Sequence, residues 1–133
     1  MIGYKICTAL GAANGNPAEY LALVALSIPE DAEVVTPVSN YSSGIKMRCS
    51  KAKVIDIRQI SPGRKGYAVG EETLPYAYSF IHYMSRLLYE TGHEVYPDSF
   101  DPDPGRECSH GIHFFATKKE ALDYAEDIWD ERL

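Results

Sequence analysis

Three side chains near the C-terminal end of the chain, those of Cys108, His110 and His113, are of types that bind metals or react. Thiolate and imidazole are good zinc ligands. The spacing C-x-H-x-x-H is not a usual zinc-finger pattern, and residues 110 and 113 point to opposite faces of a regular strand. The sequence also places no base beside Cys108 that would make it a nucleophile. It therefore predicts neither a metal site nor a catalytic residue here.

The aromatic stretch that contains His113 has two interpretations. His113, Phe114 and Phe115 could line a pocket and stack a ring against their aromatic faces. Alternatively, Ile112 and Phe114 belong to the core and His113 is a partly buried, satisfied residue. If the strand lines a pocket, alternation places the imidazole against the ligand while Ile112 and Phe114 face the core.

A basic segment over residues 46–65 is the second candidate. It holds seven Lys or Arg residues against Asp56 alone, a charge of +6 in a chain of net charge −6. The planar guanidinium of Arg48 suits phosphate or carboxylate, and Lys51 lies beside it at an apparent strand break. The alternative is a set of exposed cations that protect edge strands from aggregation. Because the whole chain is acidic, a nucleic acid polymer is not the expected partner.

Alternation, turn residues and capping signals predict the elements that position these residues. A capping box of Thr117 and Glu120 begins a C-terminal helix. Aromatic residues at helical spacing predict a second helix over residues 76–89. Strands are predicted over residues 4–8, 20–28, 32–36 (an edge strand), 45–49 and 52–57, with loops over 11–17, 61–66 and 97–105 and a tight turn at 91–93.

Length and composition limit the class of protein. The 133 residues suit a single domain over residues 1–133, and the elements predict an α+β fold with a mostly antiparallel sheet and about two helices. No apolar run is long enough for a membrane span, and no secretory signal is recognisable. Three widely spaced cysteines do not suggest disulfides, so we expect a cytoplasmic protein that has no membrane partner.

Three stretches resemble a family of uncharacterised viral domains found in phages and giant viruses, sometimes beside pentapeptide repeats. They cover residues 26–32, residues 46–57, and residues 100–121 with Gly111-Ile112-His113-Phe114-Phe115 as the most specific part. The resemblance implies a viral accessory protein in the host cytoplasm, for which countering host defence is a frequent role. It implies no activity for particular residues.

A second set of residues shows a weaker similarity to ADP-ribosyltransferases. Gly111-Ile112-His113-Phe114, followed by Ala121 and Tyr124, follows the nicotinamide-pocket strand and helix of those enzymes, and Tyr4-Lys5 takes the first-strand position. Two departures weaken the similarity. Lys5 stands where those enzymes carry arginine or histidine, and no strand after the helix presents a catalytic glutamate.

We therefore expect a non-catalytic protein that binds and sequesters a phosphorylated, nucleotide-like small molecule, needs no cofactor and forms a homo-oligomer. An NAD-dependent transferase and a protein-interaction module that blocks a host factor are the alternatives. The expected ligand-binding residues are Arg48, Lys51, Lys46, His113, His110 and Tyr4.

Overall fold

A computed structural model describes residues 1–13, 16–37, 45–63, 66–79, 87–106 and 109–132. In this part of the chain, ten strands form one open, antiparallel sheet and a single helix packs on it. The elements are β1 (Ile2–Ala13), β2 (Asn16–Ser27), β3 (Val34–Val35), β4 (Lys46–Cys49), β5 (Ala52–Gly63), β6 (Gly66–Val69), β7 (Tyr76–Tyr78), β8 (Leu88–Glu90), β9 (Glu94–Val95), β10 (Ile112–Phe115) and α1 (Lys118–Arg132).

The main order of strands is β3-β4-β10-β1-β2-β5-β6. β1 and β2 form a long hairpin that pairs Ile2 with Ser27 and Ala13 with Asn16. β10 is the last strand in sequence, yet it lies between β4 and β1 in the middle of the sheet. The short strands β7 and β8 pair with each other, and β9 pairs with β5.

Each face of the sheet carries a hydrophobic core. Successive side chains of a strand point to opposite sides, so neighbouring residues of one strand belong to different cores. One face carries the larger core, which includes Val24, Ile57 and Phe114. The other face packs under α1, where Ala121 and Ala125 are fully buried. This second core also contains Ile6, Leu21, Leu23, Ile60 and Phe115.

The helix begins as its capping residues predict. Thr117 Oγ1 accepts a hydrogen bond from the Glu120 amide at 3.1 Å, and it donates to Glu120 Oε1 at 2.9 Å. Glu120 Oε2 in turn accepts from the Ile45 amide at 3.0 Å, which ties the first turn of the helix to the start of β4. The described residues include no helix with the length and apolar character of a membrane span.

The predicted α+β class with two helices is wrong, because the described residues form a mostly β fold with one helix. The helix predicted over residues 76–89 has strands at both ends, and its middle, residues 80–86, lies outside the described residues. Tyr78 pairs with Thr8 of β1 and Ala77 pairs with Tyr89, so pairing between distant strands overrides the helical spacing of the aromatics. The loops predicted over residues 11–17 and 61–66 are also mostly strand, continuing β1 into β2 and β5 into β6.

The strand edge that matters for the site belongs to β1. On one side β1 pairs along its whole length with β2. On the other side, the described register pairs are Tyr4 with Phe115 of β10 and Thr8 with Tyr78 of β7. Between these two pairs no further register pair is described, and residues of β1 and β10 line a slot there.

Candidate functional site

The slot between β1 and β10 has walls that include three residues with nitrogen-bearing side chains. It is lined by Lys5, Ile6, Lys46, His113, Phe114, Phe115 and Tyr124. Its empty volume is about 340 Å³ with the mouth included. No Asp or Glu is among the described residues that line it, although the chain as a whole is acidic. The slot is therefore a small, positively biased site.

Lys5 belongs to the β1 wall of the slot, but alternation places its side chain on the face of the sheet that carries the larger core, opposite to Lys46 and His113. Its side chain is half-buried, and its Nζ atom lies 5.8 Å from the centroid of the buried Tyr89 ring. Burial lowers the pKa of the Lys5 amine, because desolvation disfavours the charged form, and the nearby Lys46 ammonium lowers it further. The neutral amine is thus easier to reach at Lys5 than at a lysine in water.

Lys46 supplies the second cation from the first residue of β4. Its Nζ atom lies 4.9 Å from the centroid of the Tyr124 ring, a distance at which a cation is attracted by the aromatic face. Tyr124 also contacts Phe115, with ring centroids 5.4 Å apart. This arrangement orients the Lys46 ammonium beside the slot and places a half-buried aromatic ring at its helix side.

His113 occupies the position that strand alternation predicts. Ile112 and Phe114 are buried in the larger core, while His113 points to the other face and lines the slot. Its side chain is half-buried, and the Nε2 atom is shielded from solvent. The imidazole therefore lies on the helix side of the sheet at the slot, whereas Ile112 and Phe114 pack in the larger core and Phe114 also lines the slot.

Arg48 is adjacent to His113 in register but does not reach the slot. Its side chain is 0% exposed, and its guanidinium is covered by the acidic loop of residues 101–106. Nε donates to the Asp101 carbonyl at 2.8 Å, Nη1 to the Arg106 carbonyl at 2.7 Å and Nη2 to the Asp103 carbonyl at 2.6 Å. The planar fork thus binds the protein's own backbone, and it is not available to a phosphate.

The loop that covers Arg48 is ordered by its own carboxylates. Asp101 accepts from the Ser109 hydroxyl at 2.6 Å and from the Asp103 amide at 2.9 Å, and the first of these bonds is the main cause of its lowered pKa. Gly111 follows with φ of +149°, and a Cβ there would lie 3.2 Å from the Arg48 Cβ. A glycine at this position lets the chain pass close over Arg48 before it enters β10.

Residues 1–121 match the model of a family described as a family of unknown function, DUF5758. The chain belongs to this family. No curated protein and no solved structure matches it. The matched residues of DUF5758 include Lys5, Lys46 and His113, whereas Tyr124 lies beyond them.

In this DUF5758 protein two cations of the basic segment, Lys51 and Arg58, are paired with carboxylates. Lys51 forms an ion pair with Asp31, which raises the pKa of the lysine and lowers that of the carboxyl. The amide beside it is also occupied, because Ser50 N donates to the Glu33 carbonyl at 3.0 Å. The strand break therefore presents neither a lone cation nor an open amide. Among the predicted residues, the slot gathers Lys46 and His113 and leaves Arg48 and Lys51 outside it.

The remaining predicted residues lie elsewhere in the DUF5758 fold. His110 is half-buried in the segment before β10, where its carbonyl accepts from the Asp101 amide at 2.9 Å. Cys108 lies outside the described residues. Tyr4 lines a separate, open groove beside the start of α1, together with Arg58 and Lys118. In that groove Arg58 is already bound to Asp56 at 2.9 Å and to the Glu71 carbonyl at 2.6 Å.

Lys5 and Tyr124 are the slot residues that the sequence did not select. Lys5 lies in the alternating stretch of residues 4–8, and its charge alone suggests an exposed side chain. The one local signal against exposure is that alternation places it on the same face as Cys7, since a lysine that points inward is uncommon. Lys5 and Tyr124 were both named only in the similarity to ADP-ribosyltransferases, and neither was selected as a ligand-binding residue.

Proposed function

We propose that this DUF5758 protein binds and sequesters a small phosphorylated, nucleotide-like molecule, with the phosphate in the slot between β1 and β10. The observation that carries the proposal is the lining of the slot, which includes Lys5, Lys46 and His113 and no described carboxylate. By the viral resemblance, the role would be that of an accessory protein that removes a signalling molecule of the host defence.

The chemistry of the slot favours an anion over a cation or a neutral ligand. An amine donates hydrogen bonds whether or not it is charged, and the Lys46 ammonium supplies a positive charge that the aromatic ring of Tyr124 does not cancel. A hydrogen bond to a charged group contributes about 1.5–3 kcal/mol. Only about 20 Å³ of the slot admits a water-sized sphere, so a phosphoryl group would enter it in part, beside Lys46, and the rest of the ligand would extend over Tyr124 at the mouth.

Binding of an anion should also change the protonation of Lys5. Burial holds the pKa of this amine below its usual value, and a bound phosphate would raise it by offering an opposite charge. Ligand capture would then be accompanied by proton uptake, and affinity would fall as the pH rises through the pKa of Lys5 in the complex. This coupling separates a phosphate in the slot from a phosphate bound at the protein surface.

One observation favours a second candidate, NAD-dependent ADP-ribosyl transfer. The two segments that resemble those enzymes, the first strand with Lys5 and the strand with His113, form the two walls of the slot. A catalytic carboxylate is not among the described lining residues, and this is why we propose capture first. A protein-interaction module would need no slot at all.

Native mass spectrometry after mixing the protein with a nucleotide pool distinguishes these functions. An intact nucleotide that stays bound supports capture, whereas free nicotinamide released from NAD supports transfer. Binding of no small molecule would contradict both and favour the interaction module. The same measurement in the presence of excess inorganic phosphate tests whether the phosphate is the recognised group.

A pair of matched variants locates the site. Lys46→Gln should weaken binding of the retained nucleotide by about tenfold to a hundredfold, because it removes one charge-assisted contact. Lys51→Gln is the control, since it removes the same charge from the same basic segment where the lysine is paired with Asp31. Equal losses in both variants would indicate a nonspecific charge effect, and a loss in Lys51→Gln alone would move the site to the strand break.

A further inference from the structure

A broad groove lies on the face of the sheet on which α1 packs, beside the start of the helix. The helix covers Ile6 and the rest of the second core, whereas the start of β1 and the last part of β2 line the groove. About 650 Å³ of the groove admits a water-sized sphere, compared with about 20 Å³ of the slot. At about 30 Å³ for each water-sized group, this is room for roughly twenty non-hydrogen atoms. The groove therefore has the size of a small-molecule site, although it is open on one side.

The floor of the groove is mostly aliphatic. Its apolar lining residues come from β1, β2, β5 and β6, and they are Ile2, Tyr4, Leu23, Ala25, Ile55 and Val69. Three of these large side chains stay in contact with water, since Ile2 is 43%, Ile55 44% and Val69 38% exposed. A ligand that covers them removes apolar surface from water, which is favourable. Tyr4 supplies the one aromatic ring among the described lining residues, so the floor suits an aliphatic chain better than a stacked base.

The charged residues of the groove leave one positive charge unopposed. The charges among its described lining residues are those of Asp56, Arg58 and Lys118, which sum to +1. The Asp56 carboxylate is already occupied, because it accepts from Arg58 Nε at 2.9 and 3.0 Å and from the Thr73 hydroxyl at 3.0 Å. Lys118 is an exposed residue at the start of α1. The groove therefore favours a ligand with a single negative charge.

The guanidinium of Arg58 is held in place and still has donors to offer. Nε is bound to Asp56, and Nη1 donates to the Gly70 carbonyl at 3.3 Å and to the Glu71 carbonyl at 2.6 Å. Within the described part of the chain, Nη2 has no hydrogen-bond partner, and the side chain is 31% exposed. Because the fork is planar and fixed by its other two nitrogens, Nη2 can donate to a ligand without a loss of side-chain freedom.

We propose that the groove binds an amphipathic monoanion, a carboxylic acid with an aliphatic chain of about ten carbons, which fits within this volume. The chain covers the aliphatic floor, and the carboxylate accepts hydrogen bonds from Arg58 Nη2 and from the Lys118 ammonium. A neutral chain would leave both donors to water, and a bare anion would leave the floor uncovered. The groove and the slot share no lining residue, so this inference is independent of the proposed function.

Calorimetry on the wild-type protein at neutral pH tests the ligand class with three probes. Decanoate carries the charge and the chain, acetate carries the charge alone, and 1-decanol carries the chain alone. We expect decanoate to bind saturably, and acetate and decanol to bind about tenfold or more weakly, because each lacks one of the two sets of contacts. Each methylene removed from the chain should weaken binding by about twofold to fourfold. No saturable binding of decanoate, or equal binding of decanol, would overturn the inference.

Two pairs of variants locate the site. Val69 and Val34 lie on the strands at opposite ends of the main strand order and are 38% and 41% exposed, but only Val69 lines the groove. Val69→Glu should weaken decanoate binding by about tenfold or more, because it opposes the carboxylate with a like charge, whereas Val34→Glu should not. Lys118→Gln should weaken it, and Lys119→Gln, which removes a lysine paired with Asp123, should not. Equal losses within either pair would contradict the site.

A measurement on the wild-type protein does not depend on a variant that folds. In NMR spectra, decanoate should shift the methyl signals of Ile2 and Ile55 and leave that of Ile45, which is 52% exposed before β4, unchanged. Equal shifts of all three would mean nonspecific coating of apolar surface and would overturn the inference. If decanoate does not bind and Val69→Glu abolishes self-association, a second copy of the chain covers the groove and the small-molecule site fails.

Lys46→Gln separates this inference from the proposed function. Lys46 lines the slot and not the groove, so this variant should lose nucleotide affinity and keep that for decanoate. Loss of both ligands would overturn the assignment of a separate site. Decanoate binding in a protein that retains no nucleotide would contradict the proposed function and leave the groove site standing.

Discussion

Replacing Arg48 by alanine should strongly destabilise the fold. The guanidinium makes three hydrogen bonds to backbone carbonyls, and the side chain is 0% exposed. At about 1.5–3 kcal/mol for each bond to a charged group, the contacts sum to roughly 4.5–9 kcal/mol. Water can solvate part of what is lost, since Asp103 and Arg106 are exposed residues. We therefore expect a loss of about 3–5 kcal/mol in the free energy of unfolding, as for removal of one partner of a buried polar contact.

Urea unfolding at neutral pH measures this loss, and Arg106→Ala is the matched control. Arg106 lies in the loop that Arg48 holds, its side chain is 68% exposed, and its ion pairs with Asp101 and Asp103 span 3.5 and 3.8 Å. Such pairs contribute about 0–1 kcal/mol, and the variant keeps the backbone carbonyl that Arg48 uses. Arg48→Lys should fall between the two, because one ammonium cannot reach three carbonyls with the geometry of a planar fork.

The result that refutes this reasoning is an Arg48→Ala protein with wild-type stability. If such a protein also lost ligand affinity, Arg48 would contact the ligand, as the sequence first suggests. If it kept both stability and affinity, neither role would hold. A loss of stability equal to that of Arg106→Ala would mean that the three carbonyl contacts contribute little.

Three further outcomes can be measured directly. Phe114→Ala should lower the free energy of unfolding by about 3–5 kcal/mol as a core truncation. His113→Ala should keep the melting temperature and weaken nucleotide binding. A folded His113→Ala protein with full affinity would contradict the assignment of His113 to the site. The thiols of Cys7 and Cys49 have raised pKa values, so the folded state binds more protons above pH 9 than the unfolded state does. The free energy of unfolding should therefore fall as the pH rises from about 9 to about 11, and it should fall less in the double variant Cys7→Ala/Cys49→Ala. Light scattering should show a homo-oligomer, as expected for a tyrosine-rich chain with separated basic and acidic segments, and a particle of 14.8 kDa at micromolar concentration would refute this.

The sequence predicts most strands because their signals are local. Alternation within residues 45–49 matches β4, the apolar run of residues 20–28 matches the second half of β2, and Gly92 adopts φ of +87° in the predicted tight turn. The error at residues 76–89 has a physical cause. Tyr76 and Tyr78 have side chains that fit either period, and the strand form is decided by the pairing of Tyr78 with Thr8, which is 70 residues away in sequence.

The candidate site shows the same difference between local signals, which the sequence reveals, and contacts between distant residues, which it does not. His113 was predicted because strand alternation alone separates it from Ile112 and Phe114. The role of Arg48 could not be predicted, because what covers its guanidinium is a loop more than 50 residues away in sequence. Lys5 was passed over for a similar reason. Its desolvation comes from the larger core on its face of the sheet, which includes the Tyr89 ring, and this is not visible in the residues next to it.

The central position of β10 has a consequence for the order in which the chain can assemble. The first hairpin joins neighbours in sequence and can form as soon as residue 27 is available, but the strand that joins it to β4 begins at Ile112. Until then the sheet exists as two separate parts, and the edge of β1 that carries Lys5 is uncovered. Because closing such a long loop costs chain entropy before any contact repays it, we expect slow folding that is limited by the docking of this strand. During synthesis on the ribosome, the slot would be among the last features of the molecule to form.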